Sequence, residues 1–91
     1  MKKTDPNDLG IFAIYDKKGE KYDTPFFAMS ELFAKRRFHL MCDEPGPLKK
    51  WSEDFVLERV GIFDVFEGTI VEDKKVILEA KTIVKPEEVK S

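Results

Sequence analysis

Three short clusters of basic residues lie beside aromatic residues in the first 51 positions of the chain. The clusters are Lys17, Lys18 and Lys21 near Tyr15 and Tyr22, then Lys35, Arg36 and Arg37 near Phe38, and then Lys49 and Lys50 near Trp51. Single-stranded nucleic acids are held by cations that follow the phosphates and by rings on which bases stack, so this pattern is typical of a strand-binding surface. A solvated polar surface beside ordinary core rings produces the same pattern, and composition alone favours that simpler interpretation.

Four aromatic residues are candidates for contact with a partner. Trp51, between Lys50 and Ser52, is the best single candidate for stacking on a base, although a lid over the core fits its position equally well. Phe26 and Phe27 are adjacent, and we expect at least one ring in the core and the other at an oligomer interface. Tyr22 is the alternative stacking ring.

Catalytic chemistry has few candidate residues. His39 is the only histidine and Cys42 the only cysteine, so the chain has no Cys/His metal set. The two residues lie on neighbouring helical turns, but nothing in the sequence supplies an orienting third group or an oxyanion site. We therefore interpret them as a surface or partly buried histidine beside a helix-end cysteine, rather than as a catalytic dyad.

Acidic residues occur in pairs that are typical of solvated loops. The pairs are Asp43-Glu44, Glu53-Asp54 and Glu72-Asp73. An enzyme acting on nucleic acid would need carboxylates to converge, which is a minor alternative here; the carboxylates in question are Asp43, Asp54, Asp64 and Asp73. Because no phosphate-binding loop or other enzyme motif is present, we expect no enzymatic activity, no metal and no cofactor.

Composition predicts one globular domain over residues 1–91, with 1–8 and 85–91 as frayed tails. The chain has 91 residues, 42% of them hydrophobic, and a formal net charge of −2. Residues 1–50 carry ten Lys/Arg and eight Asp/Glu, whereas residues 51–91 carry six and ten. Only a local patch could therefore bind nucleic acid. No apolar run is long enough for a bilayer and the start lacks a signal-peptide core, so we expect a cytoplasmic protein without membrane contact.

The first segments are predicted to be extended. Leu9–Asp16 is rich in β-branched and aromatic residues, which predicts a strand. Residues 16–20 form a turn signal, with Gly19 as the position that most easily takes a positive φ. The segment from Tyr22 to Phe27 is predicted to be an edge strand or loop, because Pro25 has no backbone donor.

A single helix is predicted to follow, from Glu31 to Met41 or Cys42, with Ser30 as its N-cap. Ala34, Phe38 and Met41 have the spacing of a buried stripe, and Phe33 widens it. The prolines and glycine of residues 43–47 end the helix. We expect residues 48–54 to be a loop or one helical turn.

The last segments are predicted to form a hairpin. Residues 55–66 read as a strand with a β-bulge at Gly61, where the alternation of apolar residues fails. Residues 72–75 are a better turn signal than Glu67-Gly68, and the alternation of Val76, Leu78 and Ala80 predicts an amphipathic strand. The economical fold is α+β, a mostly antiparallel sheet of three or four strands with one helix on one face, in the order β-α-β-β.

An ordered series of short motifs resembles the small nonstructural protein of gokushoviruses, the Microviridae bacteriophages with single-stranded DNA genomes. The motifs are Ile14-Tyr15-Asp16-Lys17, Tyr22-x-x-Pro25-Phe26-Phe27, Ala34-x-Arg36-x-Phe38 and Glu53-Asp54-Phe55-x-Leu57-x-x-x-Gly61-x-Phe63-Asp64. Together they cover roughly residues 11 to 64. The proline-rich segment 43–47 and the acidic final hairpin depart from the family pattern.

The resemblance implies a non-capsid phage protein, made in the host bacterial cytoplasm, that serves genome replication or packaging by binding DNA. Combined with the basic clusters, it leads to the hypothesis of a homodimer or higher homo-oligomer that binds single-stranded DNA. The expected nucleic-acid contacts are Lys17, Lys18, Tyr22, Lys35, Arg36, Arg37, Lys49, Lys50 and Trp51, with Phe26 and Phe27 at the subunit interface. The rival hypothesis is an assembly module that contacts itself, a capsid component or a host protein, which the acidic second half of the chain favours.

Overall fold

The computed structural model of the protein describes residues 8–79, and its fold confirms the predicted α+β class. The elements are β1 (Leu9–Asp16), β2 (Lys21–Tyr22), β3 (Phe26–Ala28), α1 (Glu31–Asp43), α2 (Pro47–Lys50), a 3-10 turn (Ser52–Asp54), β4 (Phe55–Asp64) and β5 (Thr69–Glu79). The sheet has five antiparallel strands rather than three or four. The predicted tails, apart from Asp8, and the expected strand position Ala80 lie outside the described residues.

The sheet is built around β1, which lies between β4 and a divided edge. β2 pairs with the end of β1, where Tyr15 faces Tyr22, and β3 pairs with its start, where Ile11 faces Phe27. The gap between β2 and β3 contains Pro25, which cannot donate a ladder hydrogen bond. The prediction of an edge strand at this proline is thus confirmed.

The two faces of the sheet have different roles. Because side chains alternate along a strand, Phe12 and Ile14 point to one face of β1 and Ile11, Ala13 and Tyr15 to the other. Phe12 and Ile14 belong to the buried core with residues of α1, so we call this face the helix side. We call the opposite face the open side, because no described helix packs on it, although Ile11, Ala13 and Val56 on this face are buried. The core residues are Phe12, Ile14, Phe26, Ala34, Phe38, Cys42 and Leu57.

Helix α1 begins at the predicted cap. The side-chain oxygen of Ser30 accepts a hydrogen bond from the backbone N–H of Phe33 at 3.3 Å. Ala34, Phe38 and Cys42 are buried, whereas Phe33 is 49% exposed, so the prediction that Phe33 widens the buried stripe was wrong. The stripe drifts because residues four apart are rotated by about 40°, which carries it toward Cys42 and away from Phe33.

Neither helix within residues 8–79 has the length and hydrophobicity that a membrane-spanning helix requires. The predicted loop or helical turn at residues 48–54 consists of the four-residue helix α2 and the 3-10 turn. Pro47 occupies the start of α2, where its missing N–H would have no helical partner in any case. Residues 44–46 separate the two helices, which confirms the predicted stop.

The hairpin between β4 and β5 turns earlier than predicted. The turn spans residues 65–68, where the Asp64 side chain accepts hydrogen bonds from the N–H groups of Phe66 and Glu67 at 2.9 and 3.1 Å. Gly68 closes the turn with φ 71°. The predicted turn at residues 72–75 was wrong, since these charged residues lie inside β5. An exposed edge strand carries charges at no desolvation cost, so their polarity does not break it.

Two backbone details concern the predicted glycine positions. In the first turn, the positive φ falls on Glu20, at 56°, and not on Gly19 as predicted. The bulge at Gly61 is confirmed, because Ile11 pairs with Gly61 while Phe12 pairs with Arg59, which leaves Val60 as the extra residue.

Replacing Ser30 with alanine is expected to lower the free energy of unfolding by about 1 kcal/mol, because the Phe33 N–H loses its partner. Chemical denaturation of the purified protein measures this change. Ser30→Asp is the matched control, since aspartate caps helices equally well, and it should keep nearly the full stability. Equal losses in both variants would contradict the capping role.

Candidate nucleic-acid interface

Two grooves lie side by side at the end of the sheet where β1 finishes. The larger, of about 530 Å³, lies between β2 and the segment that joins α1 to α2. Its lining is Ile14, Asp16, Lys21, Tyr22, Asp23, Met41, Glu44, Pro45, Gly46, Pro47, Leu48 and Phe55. The smaller, of about 300 Å³, is lined by Asp16, Lys18, Pro47, Trp51, Asp54 and Phe55. Asp16, Pro47 and Phe55 line both, so the grooves adjoin.

The grooves bring two lysines of the first basic cluster close to Trp51, which is some 30 residues away in the chain and follows the third cluster. Lys18 lies in the turn between β1 and β2, Lys21 is the first residue of β2, and Trp51 follows α2. A backbone hydrogen bond of 2.8 Å from the N–H of Lys17 to the carbonyl of Asp54 joins the two segments. This contact holds the hairpin turn next to Trp51.

Trp51 is the more exposed of the two candidate stacking rings at this site, since Tyr22 is 39% exposed. Trp51 is 51% exposed, and the Lys50 ammonium lies 4.8 Å from the centre of its ring. A cation over one indole face is favourable, and it leaves the other face as the one on which a base can stack. The exposure of Trp51 therefore argues against the alternative interpretation of the sequence, in which Trp51 is a lid over the core.

Tyr22 is held in place by three neighbours on the open side. Its ring packs against Tyr15 at 4.6 Å, and its hydroxyl donates a hydrogen bond to the Glu58 carboxylate at 2.8 Å. The Lys74 ammonium lies 5.1 Å from the ring centre and donates to the Tyr22 hydroxyl, and this hydrogen bond raises the pKa of Lys74. These contacts occupy the ring, so Tyr22 has less free face than Trp51.

The basic residues of α1 do not line either groove. Consecutive helical residues are rotated by about 100°, so Lys35, Arg36 and Arg37 point in three directions. Lys35 is half-buried and Arg36 is exposed. The Arg37 guanidinium lies 4.7 Å from the centre of the Phe26 ring, beside the start of β1 rather than its end. Of the predicted contact residues, the structure thus brings Lys18 and Tyr22 to the grooves with Trp51, and Lys50 lies over the Trp51 ring. Lys17 and Lys49 are exposed but do not line either groove.

Carboxylates and cations share the groove walls. Asp16 accepts hydrogen bonds from the N–H groups of Lys18 and Gly19, both at 3.0 Å, and Asp23 accepts one from Thr24. The carboxylates of Asp16 and Asp23 thus accept hydrogen bonds from backbone N–H groups. The ion pairs of the described region lie elsewhere, where Arg59 and Lys75 contact Glu31 and Asp73. Within residues 8–79, the cations of the three clusters are in none of these pairs.

The adjacent phenylalanines separate as expected. Phe26 is buried and stacks on Phe12, whereas Phe27 is 53% exposed on the open side and meets Phe63 edge to face at 6.0 Å. Of the pair, only Phe27 presents a ring to a partner. Sequence reasoning did not find the groove floor of Leu48 and Phe55, because their spacing in the chain gives no sign that they meet.

The remaining chemistry candidates are separated or engaged. His39 is exposed, and Cys42 is buried in the core. Asp64 holds the β4–β5 turn, and Asp73 pairs with Arg59 at 2.9 Å. Within residues 8–79, no three side chains of histidine, cysteine, aspartate or glutamate are grouped to hold a metal ion.

Comparison with known proteins identifies one family. The family model described as "Phage ORF5 protein" matches residues 9–83, which is most of the chain and includes every described residue except Asp8. A search of the curated proteins found no match, and a search of the solved structures found none.

Proposed function

Because the chain belongs to the Phage ORF5 protein family, we propose that it is a nonstructural phage protein that binds single-stranded DNA. In this proposal it is a gokushovirus protein that acts in the host bacterial cytoplasm, during replication or packaging of the genome. It needs no cofactor and carries out no reaction of its own. The binding site is the pair of grooves beside Trp51.

One observation carries the proposal: the open Trp51 ring lies beside grooves that Lys18 and Lys21 also line. A base stacked on an exposed aromatic ring contributes about 1 to 3 kcal/mol, and neighbouring ammonium groups contact the phosphates on either side. Among residues 8–79, the site combines the exposed Trp51 ring with cations that lie outside the ion pairs, which is the combination that a single strand requires.

The charge of residues 8–79 restricts how DNA is bound. Residues 8–79 contain eleven Lys/Arg and fifteen Asp/Glu, so long-range attraction for DNA is weak. Eight of the eleven cations belong to the three clusters, and the acidic second half lies mainly in β4 and β5. We therefore expect modest affinity that depends on a few local contacts and falls steeply with salt.

The Lys18→Glu, Lys50→Glu double variant is expected to bind a labelled oligothymidylate at least about tenfold more weakly than the native protein at low salt, because two phosphate contacts become repulsive. Fluorescence anisotropy measures the affinity. The matched control is Lys35→Glu with Arg36→Glu, which makes the same charge change on α1, outside the grooves. A larger loss in the control, or no binding by the native protein at low salt, would refute the proposed site.

Trp51 offers a direct readout because it is the only tryptophan. Stacking of a base should quench its fluorescence as oligothymidylate is added. Trp51→Ala should weaken binding by about 1 to 3 kcal/mol, while Trp51→Phe keeps a stacking ring and should lose less. Unchanged fluorescence under conditions where anisotropy reports binding would place the DNA elsewhere on the protein.

A protein-interaction or assembly module is the second candidate, and the open side favours it. Phe27 is exposed there, next to Phe63, in a region where Glu58 and Glu72 add negative charge. Apolar rings with acidic neighbours suit a phage or host protein better than DNA. Recovery of nucleic acid without any protein partner, in a pull-down from infected cells, would count against this second function.

A further inference from the structure

Strand β5 is an outer strand of the sheet, and its outer edge is long. It runs for 11 residues, from Thr69 to Glu79, and within residues 8–79 its strand partner is β4. Exposed edges of this length are normally short, bulged or covered, because their free N–H and C=O groups recruit other strands. Ile70 and Val76 are 66% and 57% exposed on this strand. The pairing of β5 with β4 shifts register twice, opposite residues 57–58 and 59–61, but β5 continues as one strand through both shifts. Its outer edge is therefore long enough to pair with another strand.

The side chains of β5 alternate without a break through its central part. Asp73 and Lys75 contact Arg59 and Glu31 on the helix side, and Lys74 contacts Tyr22 on the open side. Val76 pairs with Glu58, which also bonds Tyr22, so Val76 lies on the open side as well. By the same alternation, Ile70, Glu72, Lys74 and Val76 form one row on the open side.

Pairing of β5 with β5 of a second copy is limited to a few registers. Two copies of one strand pair in antiparallel fashion about a two-fold axis perpendicular to the sheet. Residues directly opposite each other across the two strands must point to the same side of the sheet. The alternating hydrogen-bonded and non-hydrogen-bonded pairs must also be related by the two-fold axis. One residue therefore faces itself across the axis, and residues at equal distances before and after it face each other.

A register centred on Asp73 makes the open-side row complementary to itself. Glu72 then faces the partner's Lys74, and Ile70 faces the partner's Val76; the axis makes each of these pairs occur twice. On the helix side the two Asp73 carboxylates approach each other, but each is already paired with its own Arg59 at 2.9 Å. A register centred on Lys74 would instead oppose two lysines and place Glu72 against Val76, which is unfavourable.

We propose that the protein forms a homodimer through antiparallel pairing of the two β5 strands, centred on Asp73, which joins the two sheets into one. The partner is a second copy because the opposite charges at positions 72 and 74 and the apolar residues at positions 70 and 76 match when the strand meets itself. The inference does not depend on DNA binding. The outer edge of β5 faces away from the grooves, because β2 and β5 are opposite ends of the strand order. Strand β5 contacts the groove residue Tyr22 through Lys74, and Lys74 must leave this contact to pair with the partner's Glu72.

Charge reversal tests the register. Glu72→Lys and Lys74→Glu each place like charges opposite each other twice, so each single variant should weaken the dimer at least about tenfold. The double variant, Glu72→Lys with Lys74→Glu, restores opposite charges and should dimerise within about threefold of the native protein. Sedimentation velocity over a range of concentrations measures the dimer dissociation constant, and circular dichroism checks that each variant is folded.

Three results would overturn the proposal. The native protein would be monomeric at its highest soluble concentration, the double variant would be as weak as the single ones, or the single variants would dimerise normally. A dimer that instead responds to Phe27→Ala would use the open side around Phe27. Titration of the native protein and the double variant with oligothymidylate keeps the two proposals apart, since loss of dimerisation and loss of DNA binding are read independently.

Discussion

Replacement of Phe38 with alanine is expected to lower the free energy of unfolding by about 3 to 5 kcal/mol, a large part of the stability of a domain of this size. The Phe38 ring is 0% exposed and belongs to the core between α1 and the sheet. Its removal leaves a cavity that the neighbouring strands cannot close without breaking their pairing, because interiors are packed to high density. Urea denaturation followed by far-ultraviolet circular dichroism measures the loss.

Phe33 provides the matched control for this prediction. It lies on the same helix and can also be replaced with alanine, but its ring is 49% exposed. Phe33→Ala is expected to cost less than about 1.5 kcal/mol, since much of its surface is already in contact with water. If the two variants lost equal stability, the buried face of α1 would include Phe33, as its sequence spacing predicts and the structure does not.

Replacement of Gly61 with alanine is expected to cost about 1 to 3 kcal/mol, the second large effect. A Cβ at this position would lie 2.9 Å from the carbonyl oxygen of Val71, which is backbone of β5. Because a backbone oxygen cannot rotate away, the β4–β5 ladder would have to shift at the bulge. The same chemical denaturation measures the change, and loss of the proposed β5 dimer should accompany it.

Gly19→Ala is the control for a substitution whose new Cβ would lie very close to a neighbouring atom. A Cβ there would lie 2.8 Å from an Asp16 carboxylate oxygen, which belongs to a side chain that can rotate. The site is an exposed turn, so the cost should stay below about 1 kcal/mol. A Gly61→Ala variant no less stable than Gly19→Ala would mean that β5 adjusts freely, and the bulge would then not set the pairing of the two strands.

The core and the candidate site are linked through α1. The helix carries Phe38 in its buried stripe, and its last turn carries Met41, which lines the larger groove. Damage at Phe38 should therefore weaken DNA binding as well as stability, whereas a change confined to Lys18 and Lys50 should affect binding alone. Comparing the two classes of variant distinguishes a binding defect from a folding defect.

The two proposals use different parts of the sheet. DNA binding is assigned to the grooves at the end of β1, and dimerisation to the outer edge of β5, on the other side of β4. A symmetric dimer would carry two groove pairs and bind two segments of one strand, which raises the effective affinity of a site that is weak by itself. A steep dependence of DNA affinity on protein concentration would be the sign of this coupling.

Local sequence patterns determined the structural elements that depend on interactions between residues close together in the chain. The run from Leu9 to Asp16 predicts β1, the hydroxyl of Ser30 predicts the start of α1, and the failed alternation near Gly61 predicts the bulge; all three are present. The family motifs within residues 11–64 pointed to a phage protein, and the matching family is one of phage proteins. In each case the decisive residues are close together in the chain.

The tertiary structure alone decided which distant residues meet. The helical period spread Lys35, Arg36 and Arg37 around α1, whereas the fold brought Lys18 to Trp51 across more than 30 positions. Residues 72–75 look like a turn in isolation, yet the turn lies at residues 65–68, where the Asp64 carboxylate and Gly68 form it, and residues 72–75 pair with β4 as part of β5. Pairing and groove formation depend on contacts between residues far apart in sequence, and no local pattern records those contacts.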